Sequence, residues 1–113
     1  MRTTLDRLND IIDHIRRIEP LTTLSLAELS ESPTTRDAAL YNLIIIGEAV
    51  KSLPDDLTNA YADIEWAQIA RFRDRAVHYY HRTSDALVLE TLKTEIPRLK
   101  STVLQMIADL AQS

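Results

Sequence analysis

The sequence predicts an all-α protein, and two observations on composition support that prediction. Its 113 residues include one glycine and four prolines, whereas a hairpin-rich β fold needs glycine at its turns. Leu, Ala, Ile, Arg, Asp and Glu dominate, and most of these residues favour or tolerate helix. The length fits one domain, residues 1–113, and 45% hydrophobic residues are typical of a buried core. We expect an up-and-down bundle of four to five helices.

The first predicted helix runs from about Thr4 to Ile18, because its apolar residues recur at three- and four-residue steps. Pro20 ends it, and residues 21–31 have room for a short turn of helix. The central helix begins with Ser32 as N-cap and Pro33 in the first helical position, and it runs to about residue 52.

The central helix is apolar almost all round in the segment ALYNLIIIGEAV, residues 39–50. Such a helix is buried on more than one side. Gly47 lies inside it at a cost of about 1 kcal/mol relative to alanine. We interpret this glycine as the site of a close helix–helix approach, and a dimer contact through the second apolar face is compatible with that interpretation.

The second half of the chain predicts three more helical segments. A short helix starts at Pro54-Asp55-Asp56, and the next helix runs from about Glu65 to Tyr80. One stripe of that helix carries Trp66, Ile69, Ala70, Arg73, Val77 and Tyr80, and we expect Trp66 in the core. Residues 83–85 look like a cap for the last helical region, which Pro97 should kink or restart.

Charge and cysteine content restrict the setting of the protein. The chain has no cysteine, so disulfides and thiolate metal sites are excluded and a reducing cytoplasm is expected. Charges interrupt the apolar residues of MRTTLDRLNDIIDHI, which is therefore not a signal peptide, and no apolar run approaches the length of a membrane span. A formal net charge of −4 disfavours nucleic-acid binding over the whole surface.

The segment RFRDRAVHYYHR, residues 71–82, departs from this acidic background. It contains four arginines, two histidines and two tyrosines against one aspartate. A local basic patch is therefore compatible with the acidic total.

Arg73 lies in the middle of the apolar stripe, within about 20° of Trp66 around the helix. A buried arginine needs a partner, because desolvating its charge costs several kcal/mol. Either it pairs with a buried carboxylate, for which Glu48 is a candidate, or it lies at a cleft and points at an anion. His78 is about 140° from Arg73, so one straight helix does not aim both at one small ligand, whereas two copies about a two-fold axis can.

The residue types favour one chemistry over others. No carboxylates at ligand spacing join His78 and no glycine-rich phosphate loop exists, so neither a metal nor another cofactor is predicted. Histidine with arginine suits metal-free RNA cleavage: an imidazole moves the proton of the attacking 2′-hydroxyl, and a guanidinium holds the phosphate. A tyrosine can stack a base.

One segment of the chain resembles the motif of HEPN domains, and among them that of the HepT-like toxins. This segment is Arg73-Asp74-Arg75-Ala76-Val77-His78-Tyr79-Tyr80. The segments IIIGEAVKSLP, residues 44–54, and EIPRL, residues 95–99, are similar to other parts of that family. The resemblance covers essentially the whole chain.

The resemblance implies a homodimeric helical bundle whose Arg and His motifs line a shared cleft. It implies a metal-independent endoribonuclease toxin of a type VII-like toxin–antitoxin pair, with tRNA or mRNA as substrate. Its partner would be a minimal nucleotidyltransferase antitoxin, which moves AMP from ATP onto the motif tyrosine, here Tyr80. By the same comparison Arg73 and His78 are the catalytic pair and Asp74 supports them. A glycine often follows the histidine in relatives, and here Tyr79 stands in its place, which leaves open which tyrosine accepts AMP first.

Further cations and rings of the segment are candidate RNA contacts: Arg71, Arg75, Tyr79, His81 and Arg82. A non-catalytic helical module that binds a nucleotide or a partner protein is the alternative function. His14, on the first helix, is expected to be solvated or half-buried.

Overall fold

The computed structural model describes residues 2–112, and every regular element within that range is helical. The α-helices are α1 (Thr4–Ile18), α2 (Leu26–Ser30), α3 (Pro33–Lys51), α4 (Asp55–Asn59), α5 (Trp66–His78), α6 (Asp85–Glu90) and α7 (Ile96–Ala111). Two 3-10 turns, Glu19–Thr23 and Tyr80–Arg82, and one π-helical turn, Thr91–Glu95, complete the described chain. The all-α prediction is confirmed. The four longer helices match the expected number, and the short helices α2, α4 and α6 raise the total above it.

The predicted helix starts are confirmed by their caps. Thr3 closes a capping box with Asp6 ahead of α1, and Ser32 caps α3 with Pro33 in its first turn. Ser84 accepts a hydrogen bond from the Leu87 amide and so begins α6. These side chains satisfy amides that have no partner within the helix.

The core forms around α1, which packs against both α3 and α7. Both α1 and α7 bury one apolar stripe, whereas α3 buries residues on several sides because α1 packs on one flank and α5 on another. By contrast, α5 fully buries only Ala76 and rests mainly on α3. Most of α5 is therefore at the surface, where its charged residues face solvent.

The prediction that the fifth helix continues to Tyr80 is wrong. The α-helix ends at His78, Tyr79 leaves helical geometry with φ −127° and ψ 41°, and Tyr80 opens a 3-10 turn. The chain turns here because α6 must begin at its own cap and because Arg36 binds the carbonyl oxygens of Tyr80 and Thr83. Tyr80 therefore does not lie on the stripe on which a regular helix over residues 65–80 would place it.

Two other members of the predicted stripe are less buried than expected. Val77 is 45% exposed, and Trp66 is only half-buried against the core. The Trp66 indole N–H donates to the carbonyl of Tyr61 at 3.0 Å. Both residues remain partly exposed because α5 is covered on one side only.

The last helical region changes geometry just before Pro97, where the sequence predicted a kink or a restart. The π-helical turn leads into α7 without a break in helical backbone, and Pro97, in the first turn of α7, has no amide to donate. His14 is half-buried, as expected, and its Nδ1 lies 2.8 Å from the side-chain oxygen of Asn42. Within residues 2–112, no helix combines the length and the apolar character that crossing a membrane would need.

Candidate functional site

The close approach of α3 and α5 fixes the position of Arg73. Gly47 is where the two helices meet: a Cβ built on it would lie 2.4 Å from the Cβ of Arg73 and 2.9 Å from its Cγ. Real Cβ atoms do not tolerate such distances, so only glycine permits this packing. The predicted role of Gly47 as a site of close helix approach is confirmed.

Two carboxylates hold the guanidinium of Arg73. Nη2 lies 2.6 Å from Oε2 of Glu48, and Nη1 donates to Oδ1 of Asp74 at 3.0 Å. The Arg73 side chain is 24% exposed, and its Nε is buried without a hydrogen-bond partner. The Asp74 hydrogen bond and the nearby charges raise the pKa of Arg73 above its usual value. The pairing with Glu48 is one of the two alternatives that the sequence left open, although the carboxylate is exposed and not buried.

Asp74 links two cations at this surface. Its Oδ1 accepts a hydrogen bond from Nζ of Lys51 at 2.8 Å as well as from Arg73. These hydrogen bonds, that of Lys51 first, hold the pKa of Asp74 below its usual value. Asp74 therefore remains a carboxylate at neutral pH and orients Arg73 from the next position of α5.

His78 lies at the exposed last position of α5, away from Arg73. The two side chains share a regular helix, so they remain about 140° apart around its axis. The imidazole stands beside the ring of Tyr79, with centroids 6.4 Å apart. It lines an open concavity of about 540 Å³ with Val77 and residues 79–82. Arg73 is not among the residues that line this concavity.

The arginines of the segment behave in two ways. Arg71, Arg75 and Arg82 line a second concavity of about 670 Å³ together with the ring of Tyr79. Within the described part of the chain, none of these three side chains forms an ion pair or a hydrogen bond. They are therefore available to an anion, whereas Arg73 is neutralised by carboxylates.

Tyr80 is held against the start of α3. Its hydroxyl donates to Oδ1 of Asp37 at 3.2 Å, and its ring meets that of His81 edge-on at 5.5 Å between centroids. Burial, followed by the hydrogen bond to Asp37 and the charge of that carboxylate, raises the pKa of Tyr80 above its usual value.

The sequence interpretation missed the residues of α3 that anchor the motif. Arg36 pairs with Asp85 at 2.6 Å and binds the turn after α5, and Asp37 binds Tyr80. These partners lie more than 40 positions apart in the sequence, and no local pattern links them. Among the described residues, no three His, Cys, Asp or Glu side chains lie close enough to hold a metal ion.

The all-helical fold and an Arg-to-His motif at the end of one helix define a HEPN-type helical protein. The chain belongs to the ribonuclease HepT-like family, whose sequence model matches residues 11–106.

Two relatives illustrate the match. A protein of Thermococcus cleftensis named "Probable ribonuclease HepT" is 34% identical over 100 residues, which are 88% of this chain and 91% of the relative. A "Putative RNase" of Methanocaldococcus jannaschii is 29% identical over 104 residues, 91% of this chain and 86% of the relative. No solved structure matches the chain.

Proposed function

We propose that this chain, as a single HEPN domain over residues 1–113, is a metal-independent endoribonuclease toxin that works as a homodimer. The observation that carries the proposal is the surface at the end of α5. The exposed imidazole of His78 stands there next to Tyr79, which shares a concavity with three arginines that have no acidic partner among residues 2–112. Membership of a ribonuclease family supports RNA as the anion that these groups bind.

The proposed reaction is cleavage of RNA by its own 2′-hydroxyl. His78 takes the proton of that hydroxyl or donates one to the leaving oxygen, because an imidazole exchanges protons near neutral pH. Arg73 stabilises the negative charge of the phosphate in the transition state. It can do so by exchanging Glu48 for a phosphate oxygen, since the Glu48 side chain is 55% exposed.

A homodimer reconciles the two directions in which Arg73 and His78 point. A two-fold axis near the exposed side of α3 and α5 would bring the motif of one protomer opposite that of its partner. Exposed apolar side chains support an interface there, since Tyr41 is 55% exposed and Val77 is 45% exposed.

The proposed regulation is the transfer of AMP from ATP to Tyr80 by a minimal nucleotidyltransferase antitoxin. An adenylyl group adds bulk and negative charge near the cationic motif, so it would compete with RNA phosphates. Tyr80 lies in the same concavity as His78, which supports this effect.

The experiment measures RNA cleavage in EDTA together with intact mass, for the wild type and for His78→Ala, with His14→Ala, at a histidine of α1, as a control of the same residue type. Cleavage by the wild type and by the control, and none by His78→Ala, would support a metal-free nuclease that works through His78. A wild type that is unmodified by mass and yet leaves RNA intact would refute the proposal.

The second candidate is a non-catalytic module that binds a nucleotide or a partner protein. The pairing of Arg73 with both Glu48 and Asp74 favours it, because a guanidinium already neutralised is a weaker phosphate ligand. In the same experiment this candidate predicts RNA binding or nucleotide binding without cleavage by any of the three proteins.

A further inference from the structure

Two consecutive residues near the start of α3 hold Tyr80 from both sides. Arg36 binds its backbone: Nη2 donates to the carbonyl of Tyr80 at 3.2 Å and to that of Thr83 at 2.5 Å. Asp85 orients Arg36 through a 2.6 Å ion pair in which the arginine side chain is 17% exposed. The backbone of the turn is therefore fixed relative to α3.

Asp37 binds the other end of the same residue. The Tyr80 hydroxyl donates to Oδ1 of Asp37 at 3.2 Å and to the Asp37 carbonyl at 3.4 Å. Among residues 2–112, no cation pairs with Asp37. Its carboxylate is exposed, so it can take a proton and release it to water.

We infer that Asp37 is the catalytic proton acceptor for the adenylylation of Tyr80, an inference that rests on the proposed regulation. As the Tyr80 oxygen bonds to the α-phosphorus of ATP, the bond from that phosphorus to the bridging oxygen breaks and pyrophosphate leaves. The phenolic proton passes to Oδ1 of Asp37 and then to water. ATP is the only co-reactant, and the nucleotidyltransferase presents it.

The electrostatics of Tyr80 explain why such an acceptor is needed. Burial and the neighbouring Asp37 carboxylate raise the pKa of Tyr80 above its usual value. A phenol of this kind is almost entirely protonated at neutral pH, so it becomes a strong nucleophile only if its proton leaves as the new bond forms.

The same geometry distinguishes the two adjacent tyrosines. Tyr79 is 55% exposed, and within the described residues its hydroxyl has neither a carboxylate nor another hydrogen-bond partner. Greater exposure favours Tyr79 as the acceptor of AMP, whereas a proton acceptor in place favours Tyr80. The inference therefore assigns the first modification to Tyr80.

The test measures initial rates of AMP incorporation into the full-length chain by its cognate nucleotidyltransferase with ATP, with the modified tyrosine mapped by peptide mass. The variants are Asp37→Asn, which keeps the shape, Asp37→Glu, which keeps the carboxylate, and Asp13→Asn as a control at an exposed carboxylate on α1. We expect Asp37→Asn to slow incorporation about 10²-fold. Asp37→Glu should recover part of the rate, and the control should match the wild type.

The pH dependence separates proton transfer from a structural role. Without a base, the rate depends on the phenolate and should rise about tenfold per pH unit between pH 7 and 9, whereas the wild type should change little. The pH profile of Asp13→Asn serves as a control for the pH dependence of the nucleotidyltransferase itself. A slower Asp37→Asn with the wild-type pH profile would assign Asp37 a structural role and overturn the inference.

Two further outcomes are distinct from each other. If the wild type takes AMP on Tyr80 and Asp37→Asn takes it equally fast, the inference fails and the proposed regulation stands. If the wild type takes no AMP on Tyr80 while RNA cleavage is intact, the proposed regulation itself fails, and the inference fails with it.

Discussion

Gly47 of α3 and Arg73 of α5 are in direct contact, backbone against side-chain stem. A methyl group on Gly47 would come within 2.4 Å of the Arg73 Cβ. The arginine of the motif is therefore positioned by the absence of a side chain on the facing helix, as well as by the carboxylates that bind its guanidinium.

Gly47→Ala should lower the free energy of unfolding. Overpacking at a close helix contact costs about 1–3 kcal/mol, while alanine gains about 1 kcal/mol of helix propensity. We expect a net loss of up to about 2 kcal/mol in urea unfolding, with reduced RNA cleavage because Arg73 shifts.

Two Arg73 backgrounds test the cause of that loss. Arg73→Ala keeps the Cβ, so Gly47→Ala should still destabilise it. Arg73→Gly removes the Cβ, so Gly47→Ala should there be neutral or stabilising. Equal effects in both backgrounds would rule out the contact as the cause.

Arg71 and Arg75 should carry part of the salt dependence of RNA binding. Each phosphate contact to single-stranded RNA contributes about 0.7 to the slope of log affinity against log salt. Changing both residues to Gln in an inactive His78→Ala background should reduce that slope by about 1.4, as measured by fluorescence anisotropy.

Arg16 and Arg17 provide the matched control for this prediction. They are exposed on α1 and, within the described chain, lack ion pairs as well. Changing both of them to Gln alters the net charge equally and should leave the slope unchanged. Equal slopes for the two double variants would mean that RNA does not follow the concavity.

Asp74 should stabilise the folded protein at neutral pH, and this stabilisation should be lost in acid. Its pKa in the folded chain lies below the ordinary value of 3.8, because Lys51 and Arg73 donate hydrogen bonds to it. The stabilisation is therefore complete above the unfolded pKa and is lost as the pH falls through the lower folded pKa.

Asp74→Asn should accordingly destabilise the protein more at pH 7 than at pH 2, as measured by urea unfolding at both pH values. Asp13→Asn, at an exposed carboxylate without an ion pair among the described residues, serves as the control. A loss at pH 2 as large as that at pH 7 would contradict the electrostatic explanation.

In Arg36→Ala, the turn after α5 should unfold more easily than in the wild type. The substitution leaves Asp85 without its cation and two carbonyl oxygens without a donor, in a partly buried place, which costs about 2–3 kcal/mol. Hydrogen exchange of residues 80–84 should accelerate, and Arg16→Ala is the exposed control. A change in the free energy of unfolding below about 0.5 kcal/mol would show that the turn does not depend on Arg36.

Local rules were sufficient to predict most of the fold. Ser32 and Ser84 accept hydrogen bonds from backbone amides of their own helices, and Pro33 has no amide that would need a partner. The local sequence is therefore sufficient to identify these helix boundaries. The end of α5 was mispredicted because it depends on Arg36, which lies 44 residues from Tyr80. The exposure of Val77 was also missed, since a helical projection does not show that α5 packs mainly on α3.

The sequence identified candidate residues for the site, but most contacts between side chains could not be read from it. The pairing of Arg73 with Glu48 was one of two alternatives that the cost of burying a lone guanidinium left open. The interaction between Asp37 and Tyr80 was not inferred, because both residues are polar and either could face solvent. The division of the arginines into a paired one and unpaired ones likewise depends on which acidic side chains the fold brings near.

The π-helical turn at Thr91–Glu95 bears on how related chains should be compared. Such a turn holds one residue more than an α-helical turn without interrupting the helix. In a relative without a proline at the position of Pro97, loss of a single residue there would leave a continuous α-helix, and the rest of α7 would keep its packing. A one-residue gap between such chains therefore belongs inside this helix, and an alignment that admits gaps only in loops would shift every position of α7.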